Sequence, residues 1–330
     1  MNFKKININK TLIYFLLSHL VIWTLIPSIS NNNLPLDTIE HLAWASDYQL
    51  GYGKHPPLVA WVLGFFFSIF SNQDWAYYFL SQLFVIFSFF IVFEFSKDFI
   101  KNPFNRLISV LLLEGIYFYN FTSPEFNVNV CQMPFWSLTV YYCWKGIKHN
   151  NYTSWLLVGC FAALGVLSKY LFIYLLLAMD VFFIYLIINK KFDPKALLSM
   201  VTFLIILTPH LIWLTENNYT TITYAMNRAG FDNWNLFNSH ILNPIIFIAK
   251  QIGILVPFFI MLFFIAAKLK IKIKNKDRKF IFLLFINFLP IVFIFLTSLI
   301  LGVKIRTMWM TPFYLFIGVF FIHLLQKEII

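Results

Sequence analysis

Charged side chains are scarce in this chain. Asp, Glu, Lys and Arg make up only 12% of the 330 residues, whereas 60% of the residues are hydrophobic and 21% are aromatic. A soluble domain carries roughly a quarter of charged residues, because its surface must face water. The apolar runs are too many and too long for one packed core. The composition therefore excludes a soluble globular protein and predicts a chain that is solvated mainly by lipid.

Cysteine is also rare. The three cysteines, Cys131, Cys143 and Cys160, all lie inside apolar segments. Their spacing matches neither a disulfide framework nor a zinc motif, and no His, Asp and Glu residues are spaced like metal ligands. The sequence therefore predicts buried free thiols, no metal and no other cofactor.

Ten apolar segments are long enough to cross a membrane as helices. They lie near 11–29, 76–96, 104–120, 128–147, 152–168, 170–189, 196–215, 245–267, 280–300 and 307–326. The segment 57–71 is apolar but shorter than the roughly 17–25 residues that a span needs, so we expect a helix at the interface. The sequence predicts an all-α polytopic membrane protein with about ten transmembrane helices. We expect one domain over 1–330, with no separate soluble C-terminal domain.

The distribution of basic residues predicts the orientation. If the N-terminus is cytoplasmic, most of the 25 Lys and Arg residues, including the dense run 268–279, fall at cytoplasmic helix ends. Both termini are then cytoplasmic. A nucleic-acid-binding protein would gather its basic residues on one soluble module, so the net charge of +11 predicts contacts with anionic membrane lipids and not with nucleic acid. The abundance of Lys, Asn, Ile and Phe indicates a low-GC bacterium, hence an inner membrane with a periplasmic outer side.

Polar residues gather in two long outer stretches, 30–56 and 216–244, and we expect the outer loops 30–75 and 216–244 to form the roof of the site. The first contains Asp37 and Glu40, which are three residues apart and so share one face of a predicted short amphipathic helix. Lys54 follows in the same loop. Carboxylates and cations at a membrane surface suit a reaction on a lipid-linked phosphate. Two alternatives stay open: the carboxylates cap a helix, and Lys54, like other lysines and arginines at helix ends, reaches towards lipid headgroups.

Motifs extend this pattern along the chain. From Asp37 to Trp61 the sequence reads D-x-x-E-x-x-x-W-x(6)-G-Y-x-K-H-P-P-L-x-x-W, and SPEFN, LGVLSKY, PHLIWL and GVKIRTMW follow at 123–127, 164–170, 209–214 and 302–309. Together they resemble the GT-C glycosyltransferases, in particular the aminoarabinose-transferase-like and protein-mannosyltransferase-like groups (glycosyltransferase families 39 and 83). The resemblance implies inverting transfer of a sugar from a polyprenyl-phosphate donor to an envelope acceptor, such as lipid A, at the periplasmic face.

The resemblance also implies roles for individual residues. Asp37 corresponds to the catalytic carboxylate, which acts as a general base or orients the acceptor, and Glu40 is the second candidate. Lys54, in the KHPP motif, corresponds to a position that contacts the lipid phosphate. We expect donor-phosphate binding by Lys54, His55, Arg228, Lys304 and Arg306, and sugar or acceptor binding by Tyr52, Glu125 and Lys169.

Two other functions fit the same composition. A flippase or transporter of a lipid-linked saccharide would carry polar residues through the membrane midplane and often inverted repeats, whereas the charges here concentrate at the outer face. A non-catalytic subunit of a glycosylation complex is the third interpretation. Replacement of Asp37 separates these classes, because a transporter should tolerate Asp37→Asn better than an enzyme.

Overall fold

The computed structural model describes residues 7–228, 236–266 and 277–325. Within these ranges the fold is all-helical and contains no strand. The α-helices are α1 (Ile8–Ser30), α2 (Leu36–Ala45), α3 (Leu58–Phe70), α4 (Asp74–Ser96), α5 (Pro103–Leu111), α6 (Val128–His149), α7 (Tyr152–Ser168), α8 (Ile173–Ile188), α9 (Leu197–Glu216), α10 (Thr220–Arg228), α11 (Asn243–Ala266), α12 (Arg278–Leu301) and α13 (Ile317–Leu324). Turns of 3₁₀-helix lie at Leu112–Gly115, Tyr117–Tyr119, Tyr170–Phe172, Pro194–Ala196 and Thr307–Tyr314, and a π-helical turn at Asn238–Leu242. Residues 229–235 of the predicted outer stretch and 268–276 of the predicted basic run lie outside the described residues.

The helices confirm a multi-pass membrane protein, although ten spans is only an approximate count. Six helical segments are long and apolar enough to cross a membrane on their own, and the pair Thr307–Tyr314 and Ile317–Leu324, bent by 50°, makes a seventh. The other three predicted spans are helical but atypical. Helix α7 has only 17 residues, α6 carries several polar side chains, and the segment 104–120 is broken. The predicted interfacial helices of the first outer loop are α2 and α3.

The break in the segment 104–120 begins where α5 gives way to 3₁₀ turns. A polar network lies at this point. The carboxylate of Glu114 accepts a hydrogen bond from Nδ1 of His19 at 2.6 Å, and the amide of Asn120 donates to the Glu114 carbonyl at 2.9 Å. Because the Asn120 side chain satisfies a carbonyl that a continuous helix would otherwise pair, the chain can turn here inside the bundle.

Asparagine side chains define several helix starts. Asn127 accepts hydrogen bonds from the backbone N–H groups of Asn129 (2.9 Å) and Val130 (3.3 Å) at the beginning of α6. Asn102 and Asn151 cap α5 and α7 in the same way. Asn is among the best N-cap residues because its side-chain oxygen pairs with the free N–H groups of the first turn. The Asn127 cap fixes the direction of α6 where SPEFN ends.

The two ends of the bundle differ in their charges. At one end, Asp98 accepts a hydrogen bond from Lys148 at 2.5 Å and lies 3.6 Å from Lys145. The Asp98 carbonyl also accepts from Lys279 at 2.5 Å. At the other end, the starts of α2 and α6 lie beside the end of α7. We call this second end the site end.

Candidate functional site

The carboxylate of Glu125 joins helix α2 to the SPEFN loop. Asp37 lies in the first turn of α2, where Pro35 at the N-cap has no side chain to satisfy the free N–H groups. The carboxylate of Glu125 takes this role and accepts from the Asp37 N–H at 3.2 Å. The amide of Asn127 donates to the second Glu125 oxygen at 3.1 Å. Burial, followed by the charge of Asp37, raises the pKa of Glu125, so this pair keeps two acids side by side at an energetic cost.

Glu40 holds Lys54 by an ion pair. This pair is partly open to solvent, because 39% of the Lys54 side chain and 28% of the Glu40 side chain remain exposed. The hydrogen bond to Glu40 raises the pKa of Lys54. The Lys54 ammonium lies 5.8 Å from the ring centre of Tyr224 on α10, and Arg228, exposed at the end of α10, repels it. Lys54 is therefore a partly exposed cation at the site end.

Two neutral histidines stack on each other, His41 on α2 and His55 in the loop that follows. Nδ1 of His41 donates to the Asp37 carbonyl at 2.5 Å, and the His41 ring stacks on His55 with centres 5.6 Å apart. Burial lowers the pKa of His41, and lowers the pKa of His55 to about 3. His55 can therefore offer a phosphate an N–H donor but no charge at neutral pH. The Tyr52 ring stacks on Trp44, and its hydroxyl donates to the Asp47 carbonyl at 2.9 Å.

Lys169 is a buried cation between α7 and α8. Only 6% of its surface is exposed, and its ammonium donates to the side-chain oxygen of Asn129 at 2.5 Å and lies 5.0 Å from the ring centre of Trp309. Burial lowers the pKa of Lys169 strongly; Asp37 counteracts this and Arg306 adds to it. Within the described part of the chain, no carboxylate forms a salt bridge with Lys169. The side chain is thus fixed, desolvated and only partly compensated.

Nine of the ten predicted site residues are linked to one another at the site end by hydrogen bonds, ring contacts or electrostatic interactions. Arg306 is exposed just before the turn Thr307–Tyr314 and acts electrostatically on Lys169. Lys304 lies on the same loop and is also exposed, but it contacts none of the other predicted residues in the ranges described. The nine residues are Asp37, Glu40, Tyr52, Lys54, His55, Glu125, Lys169, Arg228 and Arg306.

A cavity of about 400 Å³ opens beside these residues. It lies between the end of α1, the loop 120–127, the start of α6 and the turn Thr307–Tyr314. Glu125 and Asn129, which bind Asp37 and Lys169 respectively, both line it. The cavity therefore adjoins the carboxylates and the buried cation.

Sequence reasoning missed several residues of this end. Asn129 and Trp309, which hold Lys169, were not predicted, nor were His41 beneath Asp37 and Tyr224 beside Lys54. A signal existed for Asn129, since a polar residue at the start of an otherwise apolar helix usually faces the bundle interior. In the described ranges no group of three His, Cys, Asp or Glu residues could hold a metal ion. Metal independence stays a prediction.

Comparison with known proteins gives a match to one family model and to one fold. Residues 54–213, just under half of the chain, match the family model described as dolichyl-phosphate-mannose-protein mannosyltransferase. The crystal structure of ArnT from Cupriavidus metallidurans bound to undecaprenyl phosphate matches with a TM-score of 0.69 and 12% identity, over 94% of this chain and 59% of that chain. The apo structure of ArnT from the same organism gives a TM-score of 0.66 and 11% identity, over 95% and 59%. No curated protein sequence matches.

These findings confirm the predicted resemblance. Residues 54–213 match a family model of the kind that the motifs predicted, and the helices follow the membrane fold of ArnT. The chain spans 59% of the length of that protein. The matched range includes Lys54, His55, Glu125 and Lys169, and it lies C-terminal to Asp37.

Proposed function

We propose that this chain, with its GT-C family domain, is a glycosyltransferase that moves a sugar from a polyprenyl-phosphate donor to an acceptor hydroxyl. One observation carries the proposal: Lys169, a buried and incompletely compensated cation at the site end, is influenced by the charge of Asp37. A lipid phosphate supplies the anion that Lys169 lacks. The neighbouring carboxylate supplies the base that sugar transfer needs.

Three cations serve the phosphate in this proposal. Lys169 is held in place by Asn129 and Trp309, so it contributes a charge that needs no reorganisation when the leaving phosphate gains negative charge. Arg306 adds a second cation, with the forked geometry that suits phosphate oxygens. Lys54 is less constrained because its ion pair is partly exposed. It can exchange Glu40 for a phosphate oxygen.

Asp37 takes the acceptor proton. Its oxygen pulls the hydrogen from the acceptor hydroxyl while the hydroxyl oxygen forms a bond to the anomeric carbon of the sugar. The bond from that carbon to the phosphate oxygen breaks, and its electron pair leaves with the polyprenyl phosphate. This single displacement inverts the anomeric centre. Glu125 holds the backbone of Asp37 through the Asp37 N–H, and Glu40 pairs with Lys54 until a phosphate oxygen replaces it.

The proposed location is the periplasmic face of a bacterial inner membrane. The end opposite the site carries Lys145, Lys148 and Lys279 around Asp98. Positive charge marks the cytoplasmic ends of spans, so both termini are proposed to be cytoplasmic. The proposed acceptor is lipid A or another envelope glycan, which shares that face with the polyprenyl carrier.

A transfer assay tests this function. Purified protein in nanodiscs receives undecaprenyl phosphate carrying a radiolabelled mannose, glucose or pentose, together with an envelope lipid extract. We expect labelled acceptor with the wild type and at least a hundredfold less with Asp37→Asn. Asp47→Asn is the matched control, because Asp47 lies on the same outer loop with its side chain exposed and bonded only to Gln49.

Equal transfer by Asp37→Asn and wild type would remove Asp37 from the chemistry. No transfer with any donor, together with movement of the lipid-linked sugar across liposome membranes, would replace the enzyme with a flippase. Loss of transfer in both Asp37→Asn and Asp47→Asn would indicate a general disturbance of the loop.

A further inference from the structure

Two charged side chains lie in the interior of the long spans. They are Asp180 on α8 and Lys250 on α11. In the six described segments that are long and apolar enough to cross a membrane alone, every other Asp, Glu, Lys or Arg is among the first or last three residues. The two interior charges have opposite signs, and the proposed transfer reaction uses neither of them.

Both side chains are exposed on the surface of the bundle. Within the ranges that the structure describes, neither forms a salt bridge or a side-chain hydrogen bond. A charged residue inside a membrane span normally faces the bundle interior, a watery cavity or a partner of opposite charge, because hydrocarbon solvates it poorly. Asp180 and Lys250 face outwards instead, so the partner that each of them requires lies outside this bundle.

Each charge lies within an apolar helix face. On α8, exposed aliphatic residues flank Asp180 at the heptad spacing of a helix–helix contact: Ile173, Leu177, Ile184 and Ile187. On α11, the face of Lys250 also carries exposed apolar residues: Ile246, Ile260 and Phe264. A face that meets only lipid needs no charge, whereas one polar residue in an apolar seam fixes the partner and the register of a helix pair.

Asp180 and Lys250 lie at matching depths. Each is seven residues beyond the first residue of its helix, which is about 10 Å along the helix axis. Helix α8 begins just after Lys169, at the site end. Helix α11 begins there too, because Nδ1 of His240, in the turn before it, donates to the Leu299 carbonyl near the end of α12 at 2.9 Å. Two copies in the same membrane orientation therefore place these charges at one level.

Helix α12 connects the two charged faces. It packs against both α8 and α11, and near the site end it exposes Val292, Leu296 and Leu299. A twofold axis along the membrane normal, in front of α12, sets α8 of one copy against α11 of the other. We propose that two copies of this chain form a dimer through α8, α12 and α11, with Asp180 of each copy paired to Lys250 of its partner.

A second copy satisfies both charges in one step. The contact is isologous, so the same ion pair forms twice, and each charge exchanges lipid for an opposite charge. Lipid headgroups offer Asp180 no such solution, because its side chain is too short to cross about 10 Å of the span. The inference does not depend on the transferase function, since Asp37 and Lys169 take no part in the contact.

Cross-linking tests the contact between copies. Two differently tagged copies, one with Asp180→Cys and the other with Lys250→Cys, are coexpressed, reconstituted in liposomes and oxidised. We expect a disulfide that joins the two tags. In the matched control, Leu211→Cys replaces Asp180→Cys, because Leu211 is also exposed, near the site end of α9, which packs on α7. The control pair should not cross-link.

Charge exchange tests the ion pair. Asp180→Lys sets two lysines against each other at both contacts, and Lys250→Asp sets two carboxylates against each other. We expect each single variant to weaken dimerisation in liposomes by at least about tenfold, and the double variant to recover the wild-type affinity within about threefold. Asp180→Asn removes the pairs without adding a charge to the span, so it should weaken the dimer and still insert normally.

Four results would overturn the inference. They are a wild type that stays monomeric at every protein-to-lipid ratio, unchanged dimerisation of both Asp180 variants, a double variant that dimerises no better than the single variants, and a cross-link that forms only within one chain. The third result would mean that Asp180 and Lys250 have separate partners. The fourth would mean that α8 and α11 approach each other inside one bundle.

Discussion

Lys169→Met should lower transfer activity without lowering stability. Methionine has a similar length and fills the same space, but it lacks the ammonium that donates to Asn129 and lies over Trp309. Lys169 as a whole is 6% exposed and has no salt-bridge partner in the described ranges. Removing a desolvated, poorly compensated charge is neutral or stabilising. We therefore expect the thermal midpoint of the variant to equal or exceed that of the wild type.

The expected loss of activity is large. A preorganised group that meets developing negative charge contributes about 10²–10³ in rate, or about 2.7–4 kcal/mol. We expect kcat/KM for transfer from undecaprenyl phosphate mannose to fall by this factor, because Lys169 is fixed before the substrate arrives. Bare undecaprenyl phosphate should also bind more weakly.

Lys195→Met is the control. Lys195 also combines an oxygen acceptor with an aromatic ring, since it donates to the Asn150 carbonyl at 3.1 Å and lies 4.7 Å from the ring centre of Tyr152, but it lies at the opposite end of the bundle. This control should retain wild-type transfer. If Lys169→Met also retains it, or if the variant unfolds at lower temperature than the wild type, Lys169 is a structural residue and the reasoning is wrong.

The pH dependence gives an independent readout. Burial places the folded-state pKa of Lys169 below its ordinary value of 10.5, so between the two pKa values the unfolded chain binds more protons than the folded chain. The free energy of unfolding then rises as pH rises from the lowered pKa towards 10.5. The wild type should gain stability over this window relative to Lys169→Met. A constant difference between the two proteins would contradict the burial of a charged lysine.

Three further predictions concern the carboxylates and the packing. Glu125→Gln should raise stability at neutral pH. Burial raises the folded-state pKa of Glu125, so the wild type loses stability as pH rises from 4.5 through that pKa. Thermal melts of both proteins at several pH values measure the difference. Glu40→Gln should change stability by less than about 1 kcal/mol, because the Lys54 ion pair is partly exposed, and should tighten binding of bare undecaprenyl phosphate by up to about fivefold by releasing Lys54. Gly159→Ala should destabilise by about 1–3 kcal/mol, because a Cβ there would lie 2.1 Å from a backbone oxygen of α9. Gly253→Ala, where a Cβ meets nothing within 4 Å, should not destabilise, and melts of the two glycine variants compare them directly.

For each of these predictions, one outcome would contradict the reasoning. Identical pH profiles for wild type and Glu125→Gln would mean that the carboxyl is solvated. Weaker phosphate binding by Glu40→Gln would mean that Glu40 positions Lys54 for the phosphate rather than competing with it. Equal melting of the two glycine variants would mean that α7 and α9 can separate without cost.

The part of the site near α2 was predictable because it lies on one continuous stretch of sequence. Asp37 and Glu40 share a helix face, and Lys54 follows within the same loop, so their proximity depends little on how distant helices pack. Glu125 and Lys169 were predictable only as polar residues at outer helix ends. Their contacts with the Asp37 N–H and with Asn129 depend on tertiary packing, for which a single sequence contains no pairwise signal.

The prediction of membrane spans from sequence has a similar limit. Long apolar runs such as α4 and α12 were predicted almost to the residue, because hydropathy alone defines them. The segment 104–120 was also predicted as a span, yet its α-helix ends at Leu111 and Glu114 lies in the 3₁₀ turn that follows. The partner that stabilises the break, His19, lies on α1 and is separated by 95 residues. Hydropathy averages over a window, so one polar residue whose partner is distant in sequence does not change the predicted span.

The contrast in ion pairing between the two ends of the bundle supports a functional origin for the buried charge of Lys169. At the basic end, Asp98 pairs with Lys145 and Lys148, which shows that this fold can compensate its charges. At the site end, Lys169 is buried without a salt-bridge partner in the described ranges. This burial costs stability. Natural chains depart from local stability mainly where a site requires it, and a bound phosphate would remove the penalty at Lys169.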